Sequence, residues 1–173
     1  HPPNLDAAQF LLRDIWPQVH RAHPKCRLLI AGAGAREALG TLAAQPGIHV
    51  MDFVKELTDF YSRVSLLCAP IRFGAGTRVK IVEAAAWQRA HVTTTLGAEG
   101  LAFEPDREIV IGNTPESLTR LCIELLEGMA QKDSDAQPGF AMTVNTIAVQ
   151  SSLRSRQKFP ANSKLSSLTG AHR

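Results

Sequence analysis

No two cysteines in this chain stand close enough to form a CxxC pair. Cys26, Cys68 and Cys122 are far apart, each in or beside an apolar run. Neither a zinc site nor a disulfide framework is indicated. Buried, reduced thiols are expected, as in a cytoplasmic protein. No run of about 20 apolar residues occurs, so no helix should span a membrane. The GxSxG, HExxH and Walker A patterns are absent from the sequence, and Ser62 and Ser65 have no evident base near them. His20 and His23 could begin a metal pair, but no third ligand is in view, and solvent-facing side chains are the expectation. Positive charge is scarce where a nucleic-acid surface would need it. The net charge is +3, yet from Ser134 onward five Lys or Arg stand against one acid. That segment is +4, which leaves the rest at −1. The basic balance reports the tail, and no nucleic-acid partner is expected. The first residue is histidine and no signal peptide follows, which predicts a piece of a longer protein.

What is present is enough for one domain: 173 residues, 45% of them hydrophobic. Apolar residues at helical spacing (Ala8, Leu11, Leu12, Ile15, Val19) predict a helix from Leu5 to about Ala22, with Asn4 as N-cap. Pro17 should kink or split it. Strands are expected at Cys26–Ala31, Ile48–Met51, Leu66–Ile71, His91–Thr95 and Ile109–Ile111. Between them fall helices over Ala35–Ala44, Lys55–Arg63 and Thr77–Gln88, and Gly97–Gly100 reads as a loop. Thr114 should cap a last helix that starts at Pro115 and runs to about Glu127. Trp16 and Trp87 are assigned to packing, and His91 to a packed strand position. Strand and helix alternation predicts an α/β fold, a Rossmann-like parallel sheet with helices on both faces. Ligands of such folds sit at the carboxyl ends of the strands. Gly32, Phe53, Gly74 and Gly97 all follow predicted strands, so their loops should share one rim. Residues 1–127 form the domain in this reading, and residues 128–173 an irregular, disordered tail.

One stretch organises the rest. Phe73-Gly74-Ala75-Gly76-Thr77-Arg78-Val79-Lys80-Ile81-Val82-Glu83-Ala84 puts a glycine turn between a strand and a helix start. Free N–H groups of a first helical turn carry partial positive charge, and glycine lets a phosphate approach the backbone. Arg78 and Lys80 add formal charge, and Glu83 lies about one turn beyond Lys80. A ligand with phosphates at one end and hydroxyls at the other suits this turn. The competing reading is a plain chain reversal with a surface ion pair between Lys80 and Glu83.

The order and spacing of several stretches resemble the carboxyl-terminal domain of a GT-B glycosyltransferase, in the Glyco_trans_1_4 branch of family 4. They include Pro3-Asn4-Leu5-Asp6-Ala7-Ala8, Leu29-Ile30-Ala31-Gly32, Phe53-Val54, Ala69-Pro70-Ile71, the stretch from Gly74 to Ala84, and Gly97-Ala98-Glu99-Gly100-Leu101. The resemblance implies sugar transfer from a nucleotide-sugar (UDP-, GDP- or ADP-linked) with retention of configuration and no obligatory metal or other cofactor. It places Glu83 where the family binds the ribose and Ala75 where many members carry a second glutamate. Asn4 falls near the place of a family lysine, so Arg78 and Lys80 are expected to carry the diphosphate's charge. Gly74, Gly76 and Thr77 belong to the same donor loop, while Gly32, Gly34, Phe53 and Val54 are expected to flank the base. Acceptor contacts, to a glycan or lipid-linked saccharide, would come from an amino-terminal domain that this chain lacks. The catalytic residues are therefore not assigned, the fragment alone is expected to be inactive, and the intact parent could associate with the inner face of a membrane. The family's first strand, central in its sheet, also precedes residue 1, which predicts unpaired strand edges beside the gap.

Two other readings compete. Leu29-Ile30-Ala31-Gly32-Ala33-Gly34 begins like a dinucleotide fingerprint with Asp52 about 20 residues on, but Glu37 stands in place of the third glycine. The other is a non-catalytic remnant that binds a nucleotide or nothing.

Overall fold

The computed structural model describes residues 2–74, 86–101, 109–132 and 141–144. Among the described residues six parallel strands form one sheet: β1 (Arg27–Ala31), β2 (Ile48–Met51), β3 (Leu66–Ala69), β4 (Ala90–Thr93), β5 (Val110–Ile111) and β6 (Ala141–Val144). Their spatial order is β2-β1-β6-β3-β4-β5. The Rossmann-like α/β expectation is met.

Two apolar layers sandwich the sheet, and β1 feeds both. Leu28 and Ile30 point into the larger core with Leu66, Cys68 and Val92. Leu29 and Ala31 point to the other face, where Leu67 meets Phe60, Tyr61 and Val64. Side chains alternate across a strand, so burial on both faces demands an unbroken apolar run. The smaller layer is covered by α4 (Leu57–Ser62) and by Trp87, whose ring stacks on Tyr61 with centroids 5.7 Å apart.

The larger layer is covered by α1 (Pro2–Phe10), α2 (Trp16–Ala22), α3 (Ala35–Leu39) and α6 (Pro115–Lys132). Pro17 does split the first helix, and the break has a specific form. Leu11–Ile15 is a π-turn, in which the Trp16 N–H reaches back to the Leu11 carbonyl. The Leu12 carbonyl would then need an N–H from residue 17, which proline lacks. The Gln45 side-chain amide donates to it instead, at 3.2 Å. Asn4 is not the cap that the sequence suggests. The helix already begins at Pro2, and Asn4 lies inside it, buried.

Helix α6 starts as expected. Pro115 opens it, the Ser117 N–H donates to Thr114 Oγ1 at 3.2 Å, and the Thr114 N–H donates to Ser117 Oγ at 3.0 Å. This reciprocal pair is a capping box with serine in the glutamate's place. The helix continues to Lys132, past the boundary expected at Glu127.

The largest departure from the sequence reading is β6. Irregular chain is expected after residue 128, and a gap in the sheet's middle. Instead Ala141–Val144 stands between β1 and β3 and pairs with both. The edges expected to be bare are therefore occupied. Residues 133–140 and 145–173 lie outside the described residues.

All three cysteines are buried and none is in a disulfide. Cys68 on β3 and Cys122 on α6 meet across the larger core, and contact with Cys68, then burial, push the Cys122 thiol well above its usual value. Thiolate is the reactive form. The native chain at pH 8 should therefore resist a thiol reagent that labels all three cysteines once denaturant is added. Rapid labelling of the folded chain would contradict this core.

Candidate functional site

In a parallel sheet every strand delivers its following loop to the same end. Here that end carries residues 32–34 after β1, 52–54 after β2, 70–74 after β3, 94–101 after β4 and 112–114 after β5. The expectation that Gly32, Phe53, Gly74 and Gly97 share a rim follows directly from this geometry.

Backbone and side-chain bonds tie neighbouring loops together. The Gly32 N–H donates to the Met51 carbonyl at 2.9 Å, and the Ala35 N–H to the Gly32 carbonyl at 3.0 Å. Gly34 has φ 70°, a left-handed conformation that favours glycine, and leads into α3. Phe53 and Phe73 are the exposed large apolar side chains among the described residues, 67% and 47% exposed. One follows β2 and the other follows β3. Val54 is half-buried against the Phe60–Tyr61 core.

Gly74 needs to be glycine twice over. Its φ is 95°, and a Cβ there would fall 2.5 Å from Pro3 Cγ. The first turn of α1 therefore packs directly on the donor loop expected from the sequence. Asn4, in that turn, is 5% exposed, and its Oδ1 has no partner among the described residues. Beside it, Arg72 makes a two-pronged pair with Asp6 (Nε to Oδ2 at 2.9 Å) and lies over the Phe10 ring at 4.5 Å. Asp6 holds the guanidinium charged, above its ordinary pKa. Arg72 is thus spent on joining the loop to α1. Arg78 and Lys80, with Gly76, Thr77 and Glu83, lie outside the described residues.

On the other side of the rim, threonines do the positioning. Thr93 Oγ1 donates to the Ala69 carbonyl at 2.7 Å, and Thr94 Oγ1 donates to the Ile71 carbonyl. Thr94 Oγ1 also accepts from the Gly97 N–H at 3.0 Å, capping the short helix α5 (Thr95–Ala98). Gly97 and Ala98, expected in a loop, belong to this helix. Asn113, after β5, accepts from the Thr95 N–H at 2.9 Å. The sequence reading missed Asp6, Arg72, Thr93, Thr94 and Asn113. The run Thr93-Thr94-Thr95 was a usable signal, since adjacent threonines at a strand end are poised to cap.

A cavity of about 240 Å³ lies elsewhere, along the open edge of β2. Arg27, Arg36, Arg63 and His49 line it, and Arg36 donates to the Val50 carbonyl at 2.8 Å. None of the residues expected to bind a donor lines it. Arg36 occupies an outward carbonyl of an edge strand, a common way of blunting such an edge. Among the described residues no group of three His, Cys, Asp or Glu could hold a metal ion. His20 stacks on Trp16 with ring centroids 5.1 Å apart and is half-buried, not solvent-facing. No helix among the described residues is long and apolar enough to cross a membrane.

The family model described as glycosyl transferases group 1 matches residues 1–128. No curated protein matches the chain.

Proposed function

Because the chain belongs to the glycosyl transferases group 1 family, we propose that its rim binds a nucleotide-sugar donor for transfer with retention of configuration. The observation that supports this most is the gathering of the β1, β2, β3 and β4 loops at one end of the parallel sheet. In this reading Gly74, Gly76 and Thr77 belong to the loop that receives the diphosphate. Arg78 and Lys80 neutralise the charge that builds on the leaving diphosphate. Arg72, paired with Asp6, is assigned to joining the loop to α1. Glu83 accepts the ribose hydroxyls. Gly32, Gly34, Phe53 and Val54 flank the base, Phe53 offering an exposed ring. No metal is required in this scheme. Acceptor recognition, of a glycan or lipid-linked saccharide, is assigned to a separate domain, so this chain alone should bind donor without turning it over.

Thermal unfolding with UDP, GDP and ADP tests the reading. A ligand that binds only the folded state, at about 100 times its dissociation constant, adds roughly 2.7 kcal/mol. One nucleotide should raise the midpoint, and Glu83→Ala and Lys80→Ala should each remove most of that rise. A cooperative transition that none of the three moves would overturn the assignment.

A further inference from the structure

Basic side chains from four elements line the cavity along β2, and among the described residues no Asp or Glu lines it with them. Arg27 opens β1, His49 stands on β2, Arg36 lies on α3 and Arg63 follows the last residue of α4. The strand register explains how they meet. Leu29 is registered with His49, and side chains two apart on a strand share a face. Arg27, Leu29, His49 and Met51 therefore lie on the face that α4 covers. That helix is six residues long and does not reach across the whole face. Leu29 packs against Phe60 and Tyr61 and is 4% exposed, while Arg27, His49 and Arg63 stay exposed. Arg36 comes from the other side of the sheet. Its bond to the Val50 carbonyl fixes it at the edge and leaves most of its guanidinium donors unengaged.

Cations gathered in this way repel one another, so the cluster calls for an explanation. Among the described residues Arg27, Arg36 and Arg63 make no ion pair; the pairs there join Arg72 to Asp6 and Arg120 to Glu124. Protection of the sheet edge accounts for Arg36. It does not account for Arg27 and Arg63, which lie off the edge strand. General basicity is not the reason either, because the residues before Ser134 sum to −1. The segment from Ser134 onward carries +4, the wrong sign to fill the cavity.

We propose that this cavity binds the phosphate end of a ligand, one or two phosphoryl groups in size, carried by a small soluble molecule or by a lipid headgroup. A guanidinium fork meets phosphate oxygens two at a time. A carboxylate brings a single charge, whereas a phosphate monoester brings about two, with three acceptor oxygens. A phosphate can therefore engage forks from β1, α3 and α4 together. The apolar floor of Leu29 and Met51 reduces screening by salt. The cavity's volume of about 240 Å³ lies below the roughly 300–1,000 Å³ of sites that enclose a drug-sized ligand. It holds the phosphate and leaves the carrier outside. No residue assigned to the donor lines this cavity, so the proposal stands apart from what the rim binds.

A residue-resolved NMR titration of the full chain with inorganic pyrophosphate, at about 0.15 M ionic strength, provides the test. Amides of residues 27–29 and 48–51 and the Nε–H groups of Arg27, Arg36 and Arg63 should shift together. They should saturate with a dissociation constant of about 1 mM or tighter. No saturable shift at these groups, or shifts confined to rim residues 70–74 and 94–101, would overturn the proposal. The double variant Arg27→Gln/Arg63→Gln removes two charges at exposed positions, so its thermal midpoint without ligand should hold or rise. Its affinity should fall at least about tenfold, while Lys80→Ala, in the donor loop, should titrate at these signals like the parent. Unchanged affinity in the double variant would also overturn the proposal. Co-sedimentation with phosphatidylcholine vesicles carrying phosphatidic acid separates the two sources. Sedimentation that the double variant loses places the phosphate on a lipid. Sedimentation that is absent, or that the double variant keeps, places it on a soluble molecule, given the pyrophosphate binding of the parent.

Discussion

Trp16→Ala is expected to lower the thermal midpoint by about 10–20 °C, if the variant folds at all at 37 °C. Trp16 is 1% exposed and sits among the largest wholly buried side chains. Its indole N–H donates to the Pro46 carbonyl at 3.1 Å, a bond spanning thirty residues. A Cβ built on Gly47 would come 3.0 Å from its ring, so the turn before β2 closes directly against it. Truncation leaves a cavity and an orphaned carbonyl together. Such changes cost roughly 3–5 kcal/mol, out of a total stability of about 5–15 kcal/mol. At this domain size one kcal/mol is worth about 2–5 °C. Trp16→Phe, which keeps most of the volume and loses the hydrogen bond, should cost about 1–2 kcal/mol. Circular dichroism through the transition reads both. A Trp16→Ala midpoint within about 2 °C of the parent would contradict this packing.

Gly97→Ala sets two principles against each other, and the sign of its effect decides between them. Gly97 lies in the four-residue helix α5, where helix propensity favours alanine by about 1 kcal/mol. Its new Cβ, however, would fall 2.1 Å from Thr93 Oγ1. That hydroxyl has no easy retreat. Thr93 is wholly buried, its β-branch restricts rotation, and the hydroxyl donates to Ala69 across the β3–β4 pair. The substitution should destabilise by about 2–3 kcal/mol through displacement of Thr93 and loss of that bond. The loop after β4 would shift against the loop after β3, and nucleotide affinity at the rim should fall with it. Thr93→Ala removes the obstructing hydroxyl, so the two changes should couple: Gly97→Ala on that background should cost little or stabilise. Equal effects on both backgrounds would show that Thr93 is not the obstacle.

Much of the fold was legible because its signals are local. The apolar runs of β1 and β3 could not face water on either side, and Thr114-Pro115 marks a helix start through groups no more than three residues apart. The alternation of such segments implies a parallel sheet, and the sheet implies a rim where the loops meet. Asn4 and Gly97 were misplaced because each has a local reading, cap and loop, that another signal two or three residues away overrides. Proline can open a helix, so α1 begins at Pro2 and carries Asn4 inside. Thr94 can cap, so α5 forms where glycine suggests a turn. Arg72 gave no local sign of its role, because its partner Asp6 stands sixty-six residues away.

The sequence by itself determined the α/β class, the family and the loops that share the rim. Periodicity and capping act over a few residues and need no partner to be read. Only the tertiary structure decided what fills the middle of the sheet. Ala141-Met142-Thr143-Val144 is too short to show a period, and it stands in a stretch rich in Ser, Gln, Arg and Asn that reads as irregular chain. It is a strand because β1 and β3, themselves too apolar to stay bare, leave between them a slot of the right width. A backbone takes up strand hydrogen bonding wherever two edges present it.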